Sequence, residues 1–180
     1  PAYISWYELN IDRNNDPNYT GNMHDWQCEE VVRQWKKNLF EPYHTAVNSF
    51  VWDDGWDHYG DWTFSPNFPD GFRKSDALAR EMGSGIGAWL GPVGGYGQSG
   101  NYRRDYWKGK GGMQLSNPKY YETFTRSITD LCNKRGYDFR FFKFDGISAQ
   151  FSAVGPDAGT GGEENADCHA LNWNLGKLWE

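Results

Sequence analysis

The chain has 180 residues, with 18 Lys and Arg against 24 Asp and Glu and a formal net charge of −6. Its 10 Trp, 11 Tyr and 11 Phe exclude a chain that avoids burial, and its acidic balance argues against a nucleic-acid partner, which would need clustered Lys and Arg facing phosphate. At 38% hydrophobic residues, with no apolar run of spanning length, it does not read as a membrane protein, and its length suits one domain over residues 1–180.

In chain order, residues 2–7 read as a short strand of β-formers. Residues 25–40 read as a helix, because Trp26, Val31, Trp35 and Leu39 recur at roughly helical spacing with charges between them; Pro42 is expected to stop it. A second strand covers 46–52 and runs into Asp53-Asp54-Gly55-Trp56. The stretch 57–71, punctuated by Pro66, Pro69 and Gly71, is a loop. Residues 72–82 fit a helix that Gly83 would terminate, and 85–90 fit a third strand. A Gly-rich insertion follows at about 91–112. Asn117-Pro118 then opens a helix to about residue 134, with Asn117 as N-cap and Pro118 at the first helical position. A fourth strand covers 139–144 and ends in Asp145-Gly146. A second Gly-rich insertion, at about 147–165, leads to a last helix at 166–179.

Strand–helix alternation repeated four times implies parallel strands joined by right-handed crossovers. Two architectures fit, a doubly wound sheet and a (β/α) barrel. No G-x-G-x-x-G joins the first strand to the first helix, so the dinucleotide-binding fingerprint is absent. The long loops all follow strand C-termini, where a barrel builds its site. Cys28, Cys132 and Cys168 match no zinc spacing and leave open either one disulfide plus a thiol or three thiols. Neither do His24, His44, His58 and His169 show metal-ligand spacing. The sequence opens at Pro1, close to an apolar segment, which reads as a piece of a longer polypeptide, with any targeting sequence expected upstream.

The strand ends carry the chemistry. Trp6 ends the first; Asp53, Asp54 and Trp56 the second; Trp89 the third; Lys143 and Asp145 the fourth. Parallel neighbours would gather these residues on one rim. Indole faces stack on the apolar faces of sugar rings, while carboxylates and an ammonium hydrogen-bond vicinal hydroxyls. A carboxylate under an anomeric carbon can act as nucleophile. Lys143 and Asp145, two apart on a strand, share a face, with Phe144 turned outward. The plainer readings stand beside these: Asp53-Asp54 and Asp145 as turn residues before glycine, and Trp6 and Trp89 as core groups.

Phe50-Val51-Trp52-Asp53-Asp54-Gly55-Trp56, Asn67-Phe68-Pro69-Asp70-Gly71-Phe72, Gly85-Ile86-Gly87-Ala88-Trp89-Leu90 and Phe142-Lys143-Phe144-Asp145-Gly146, in that order and rough spacing, resemble the melibiase (α-galactosidase-like) glycoside hydrolases over about residues 4–146. The resemblance implies an α/β fold of the (β/α)8 TIM-barrel type, of which this chain would supply about the first four β/α units. It implies a retaining glycosidase acting on an α-linked sugar, with Asp145 as nucleophile. Lys143, Asp53 and Asp54 would bind sugar hydroxyls, with Trp6, Trp89 and Trp56 lining the pocket. It implies a carbohydrate partner (an oligosaccharide or glycan), no metal or organic cofactor, and a secreted or periplasmic setting. The family's general acid/base lies at the end of the sixth strand, so this chain is expected to lack it. A half barrel would expose strand edges, so the remainder of the barrel, or a second copy, is expected to cover them. Arg103 and Arg104 in the first insertion suggest a subsite for an acidic or branched glycan. Other readings of the same residues are a transglycosylase of the same fold, a non-catalytic carbohydrate-binding protein and, more distantly, a metal-dependent hydrolase.

Overall fold

The computed structural model describes residues 1–9, 17–115 and 117–146. The insertion at 147–165, the helix at 166–179 and Cys168 fall outside the described residues. Four strands, β1 (Ala2–Ile4), β2 (Ser49–Trp52), β3 (Gly85–Leu90) and β4 (Phe139–Phe144), form one parallel sheet in the order β1-β2-β3-β4. Helices lie between them: α1 (Trp6–Leu9), α2 (Asp25–Trp35), α3 (Glu41–Tyr43), α4 (Arg73–Arg80), α5 (Gly97–Trp107) and α6 (Pro118–Thr129).

Side chains alternate across a strand, so register sorts them onto two faces. Phe50 pairs with Ile86, Trp52 with Ala88, Ala88 with Phe142, and Leu90 with Phe144. This set faces the helices. Phe50 meets Trp35 of α2 edge-on at 5.7 Å, and Phe144 meets Phe124 of α6 at 6.3 Å. Phe50, Trp52, Ile86, Ala88 and Leu90 are fully buried there, each large apolar side chain adding roughly 1.5–3 kcal/mol by leaving water. The outward placement expected for Phe144 is observed, and Trp52 shares it. Val51, Gly87, Phe141, Trp89 and Lys143 take the opposite face.

β4 reaches this phase through a bulge. Ile86 pairs with Phe139 but Gly87 with Phe141, leaving Arg140 as the extra residue. Phe139 and Phe142 therefore stack on the same side at 4.6 Å although they are three apart. Gly87 makes the close approach sterically feasible: a Cβ there would lie 2.4 Å from the Phe141 carbonyl oxygen.

Several elements differ from the sequence reading. The first strand ends at Ile4 rather than residue 7. Ser5 takes the turn, its carbonyl accepting from Glu8 and Leu9 N–H, so Trp6 enters a helical turn. The second strand starts at Ser49, not 46. Pro42 does not end the first long helix. The chain runs on through a π-helical turn (Lys36–Phe40) into α3, where Pro42 occupies an early position that needs no N–H donor, and His44 in the left-handed region (φ 51°) closes it. The insertion at 91–112 is not a loop throughout, because α5 forms inside it. The strands at 85–90 and 139–144 stand as expected, as does Asn117, whose side chain accepts from Lys119 N–H at 3.2 Å to cap α6. Cys28, buried, and Cys132 are free thiols, and burial raises both thiol pKa values. No helix among the described residues is long and apolar enough to cross a membrane.

Candidate functional site

The C-terminal ends of β2, β3 and β4 form a rim. Beyond Trp52, alternation turns Asp53 onto the face of Trp89 and Lys143. Ser5 fixes that turn: its N–H donates to the Val51 carbonyl, and its hydroxyl accepts the Asp53 N–H at 2.9 Å. Beyond Phe144, the Asp145 N–H donates to the Leu90 carbonyl at 2.9 Å, extending the ladder by one residue and aiming Asp145 along the same face.

Lys143 Nζ donates to Asp53 Oδ2 at 2.8 Å and lies 3.7 Å from Asp145 Oδ2. It also sits 5.6 Å from the centre of the Trp6 ring, a cation–π distance. Trp89 Nε1 donates to Asp145 Oδ2 at 3.1 Å, the Gly146 N–H to Oδ1 at 2.7 Å, and the Tyr96 hydroxyl stands 3.5 Å from Oδ1. The Lys143 and Asp145 side chains are 28% and 32% exposed, whereas that of Asp53 is closed off. Burial pushes the Asp53 carboxyl above its ordinary value, and the Lys143 hydrogen bond opposes that rise.

Next to this group lies a second, wholly internal one. Arg103 comes from α5 and is fully buried. Its guanidinium donates to both Asp57 oxygens, at 2.8 and 2.6 Å, to Asp54 Oδ1 at 2.5 Å and to the Gly94 carbonyl at 2.9 Å. Tyr59, Trp62 and Trp89 surround it, with ring centres 5.4, 5.3 and 4.9 Å away. Burial by itself would lower the Arg103 pKa, but the charges of Asp54 and Asp57 hold it above the ordinary value. Burial likewise pushes Asp57 up, against the Arg103 charge.

The seven residues singled out from sequence therefore divide. Lys143 and Asp145 offer polar atoms to solvent, and Trp6, half-buried, flanks them. Asp53 and Trp89 are buried directly behind and bonded to those two. Asp54, 7% exposed, is drawn toward Arg103, with the Ser99 hydroxyl 3.4 Å from its other oxygen. Trp56 is not at the rim. Its indole is fully buried against Phe64 and Phe72, and its N–H donates to the Trp89 carbonyl at 2.9 Å.

Of the two insertion arginines, Arg103 is not open to a glycan and Arg104 is exposed. Arg103 is enclosed by two carboxylates, and Arg104 donates to the Gly95 carbonyl at 3.0 Å and to Asn101 at 2.8 Å, tying its own loop together. Sequence reasoning missed Tyr96, Asp57 and the internal role of Arg103. The spacing Ser99, Arg103, Trp107, four apart each time and buried throughout α5, is the signal that would have found the helix and its inward face. Among the described residues no cluster of three or more His, Cys, Asp or Glu is placed to hold a metal ion. A cavity of about 300 Å³ lies apart from the rim, between Phe64 and α6.

No family model matches the chain, and no curated protein matches it.

Proposed function

We propose that this chain is part of a retaining glycoside hydrolase acting on an α-linked, galactoside-like sugar, and that its sheet is the first half of a (β/α)8 barrel. The sequential order of the four strands supports the barrel over a doubly wound sheet, whose strand order reverses at a switch point. The inner sheet face also supports it: Ile4 and Phe141, at 40% and 42% exposure, flank fully buried Val51, as the lining of an incomplete barrel would.

The observation that carries the chemistry is the accessible Lys143–Asp145 pair backed by buried Asp53 and Trp89. In this reading Asp145 attacks the anomeric carbon. The Trp89 N–H and the Gly146 N–H hold its carboxylate in one orientation. Lys143, fixed by Asp53, donates to a sugar hydroxyl beside the attacked carbon. Trp6 and the exposed Tyr96 supply apolar faces on either side of the ring.

The proton donor is assigned to neither of the other rim carboxylates. Asp53 is engaged by Lys143 and Asp54 by Arg103. Retention needs a second carboxyl about 5–5.5 Å from the nucleophile, and the proposal draws it from outside the described residues. The test is covalent: an activated 2-fluoro α-galactoside should label Asp145 in the full-length protein. Asp145→Asn should lose turnover by on the order of 10⁴-fold while still folding. Label on another residue, or wild-type turnover in Asp145→Asn, would overturn the proposal.

A further inference from the structure

α5 and the turn before it have a consequence for the rim that the proposed reaction does not use. The Trp89 indole, whose N–H meets Asp145, lies in a slot. On one side are the backbones of Gly91 and Gly95: a Cβ on either would come within 2.8 or 2.7 Å of the ring atom Cη2. Gly95 also has φ +77°, a conformation a larger residue resists. The Arg103 guanidinium also lies over this ring, 4.9 Å from its centre, and its Nη1 is 3.4 Å from where a Gly95 Cβ would stand. The same guanidinium holds the Gly94 carbonyl, and with it the turn that forms the slot, and it grips Asp54 at the second strand end.

From this arrangement we infer that Arg103 is a positioning residue: it packs on the Trp89 indole and ties down, through the Gly94 carbonyl, the Gly91–Gly95 turn that abuts the ring, and so fixes the N–H that orients Asp145, while separately fixing Asp54. One buried cation thereby sets two carboxylates, at the ends of β2 and β4 on either side of β3. Trp62, 6.0 Å from Trp89, completes the packing around the ring. The inference concerns how the rim is built and holds whether or not Asp145 attacks a sugar.

The test follows the Trp89 indole N–H in proton–nitrogen spectra of the protein labelled at tryptophan, with its signal assigned by Trp89→Phe. Asp145→Asn, a change at a partly exposed rim position, should move this signal and speed its exchange with solvent roughly tenfold or more, the cost of a lost hydrogen bond to a charged acceptor. Arg103→Lys should do the same, since an ammonium cannot reproduce the planar stacking and the fork of donors. Gly95→Ala should do so with the Arg103 side chain retained, by crowding the ring and, less closely, Arg103 Nη1. The Trp107 indole, which donates to the Gly60 carbonyl, should keep its signal in all three and reports an intact fold. If Arg103→Lys fails to fold, Gly95→Ala and Asp145→Asn decide. A Trp89 signal indifferent to Asp145→Asn, or to either of the other changes in a folded protein, overturns the inference. None of these readouts is turnover, so a protein without glycosidase activity would remove the proposed function and leave this result standing.

Discussion

Two groups in this molecule share one composition, a cation between two carboxylates, and differ in their access to water. Lys143 stands between Asp53 and Asp145 with its ammonium and one carboxylate partly exposed. Arg103 stands between Asp54 and Asp57 with nothing of its own side chain exposed. Every strong contact of Arg103 is internal, its three nitrogens being spread over two carboxylates and a carbonyl while aromatic rings cover its faces. Lys143, with three donors, has one close acceptor at 2.8 Å and a longer one at 3.7 Å. A closed group has geometry to give to its neighbours; an open one has hydrogen-bonding capacity left for a ligand. The choice of cation fits this division. Arg presents a rigid fork suited to a buried pair, and Lys a compact charge on a mobile stem.

The largest expected effect comes from opening the closed group. Arg103→Ala strands two carboxylates, one of them wholly buried, and should cost about 3–5 kcal/mol of unfolding free energy, the scale of a buried pair that loses one partner. Lys143→Ala should cost less, about 1–3 kcal/mol, because it strands one buried carboxylate, Asp53, while Asp145 keeps contact with water. Urea unfolding of both variants measures the contrast. Equal losses would erase the distinction between the groups.

A smaller effect sharpens the comparison inside the closed group. Asp57 takes two hydrogen bonds from Arg103 and is fully buried, whereas Asp54 takes one and reaches the rim. Asp57→Asn should therefore destabilise by about 2–3 kcal/mol and Asp54→Asn by about 1 kcal/mol. The reverse order in chemical denaturation would mean that Asp54, not Asp57, anchors the arginine.

How legible each group was from sequence follows from the range of its interactions. The open one could be read because its members sit at strand ends with local signatures: Asp-Asp-Gly after one apolar run, Lys-Phe-Asp-Gly after another, and period-two alternation to give the face. The parallel sheet followed from the same apolar runs, which left open the order of its strands. The closed group could not be read in this way. Arg103 meets Asp57 across 46 residues, and it lies on a helix hidden among glycines that ordinarily disfavour one. Tertiary burial of Ser99, Arg103 and Trp107 overrides that propensity. Trp56 misled because Asp-Asp-Gly-Trp carries no sign of which way the indole turns; the glycine reverses the chain at φ +123°, and the ring goes down into the core. The bulge at Arg140 was equally hidden, since nothing in Phe139-Arg140-Phe141-Phe142 marks the residue that drops out of register.

The smallest effect concerns acid and tests whether the open group is truly backed by a buried carboxylate. Burial raises the Asp53 carboxyl above its ordinary value despite the Lys143 hydrogen bond. The folded chain therefore holds that proton more tightly than the unfolded chain. The stability this contributes is fully present below the unfolded value of about 3.9 and is lost as pH rises through the raised folded value. Asp57 is raised by the same cause and contributes with the same sign, so the wild-type profile by itself mixes the two. Asp53→Asn removes one of them and isolates its share. Relative to wild type, this variant should gain stability as pH climbs through that window and then run parallel to it. Urea midpoints measured on both proteins across the window would show it. Profiles that run parallel throughout would mean that the Lys143 hydrogen bond and charge offset the whole effect of burial on the Asp53 carboxyl.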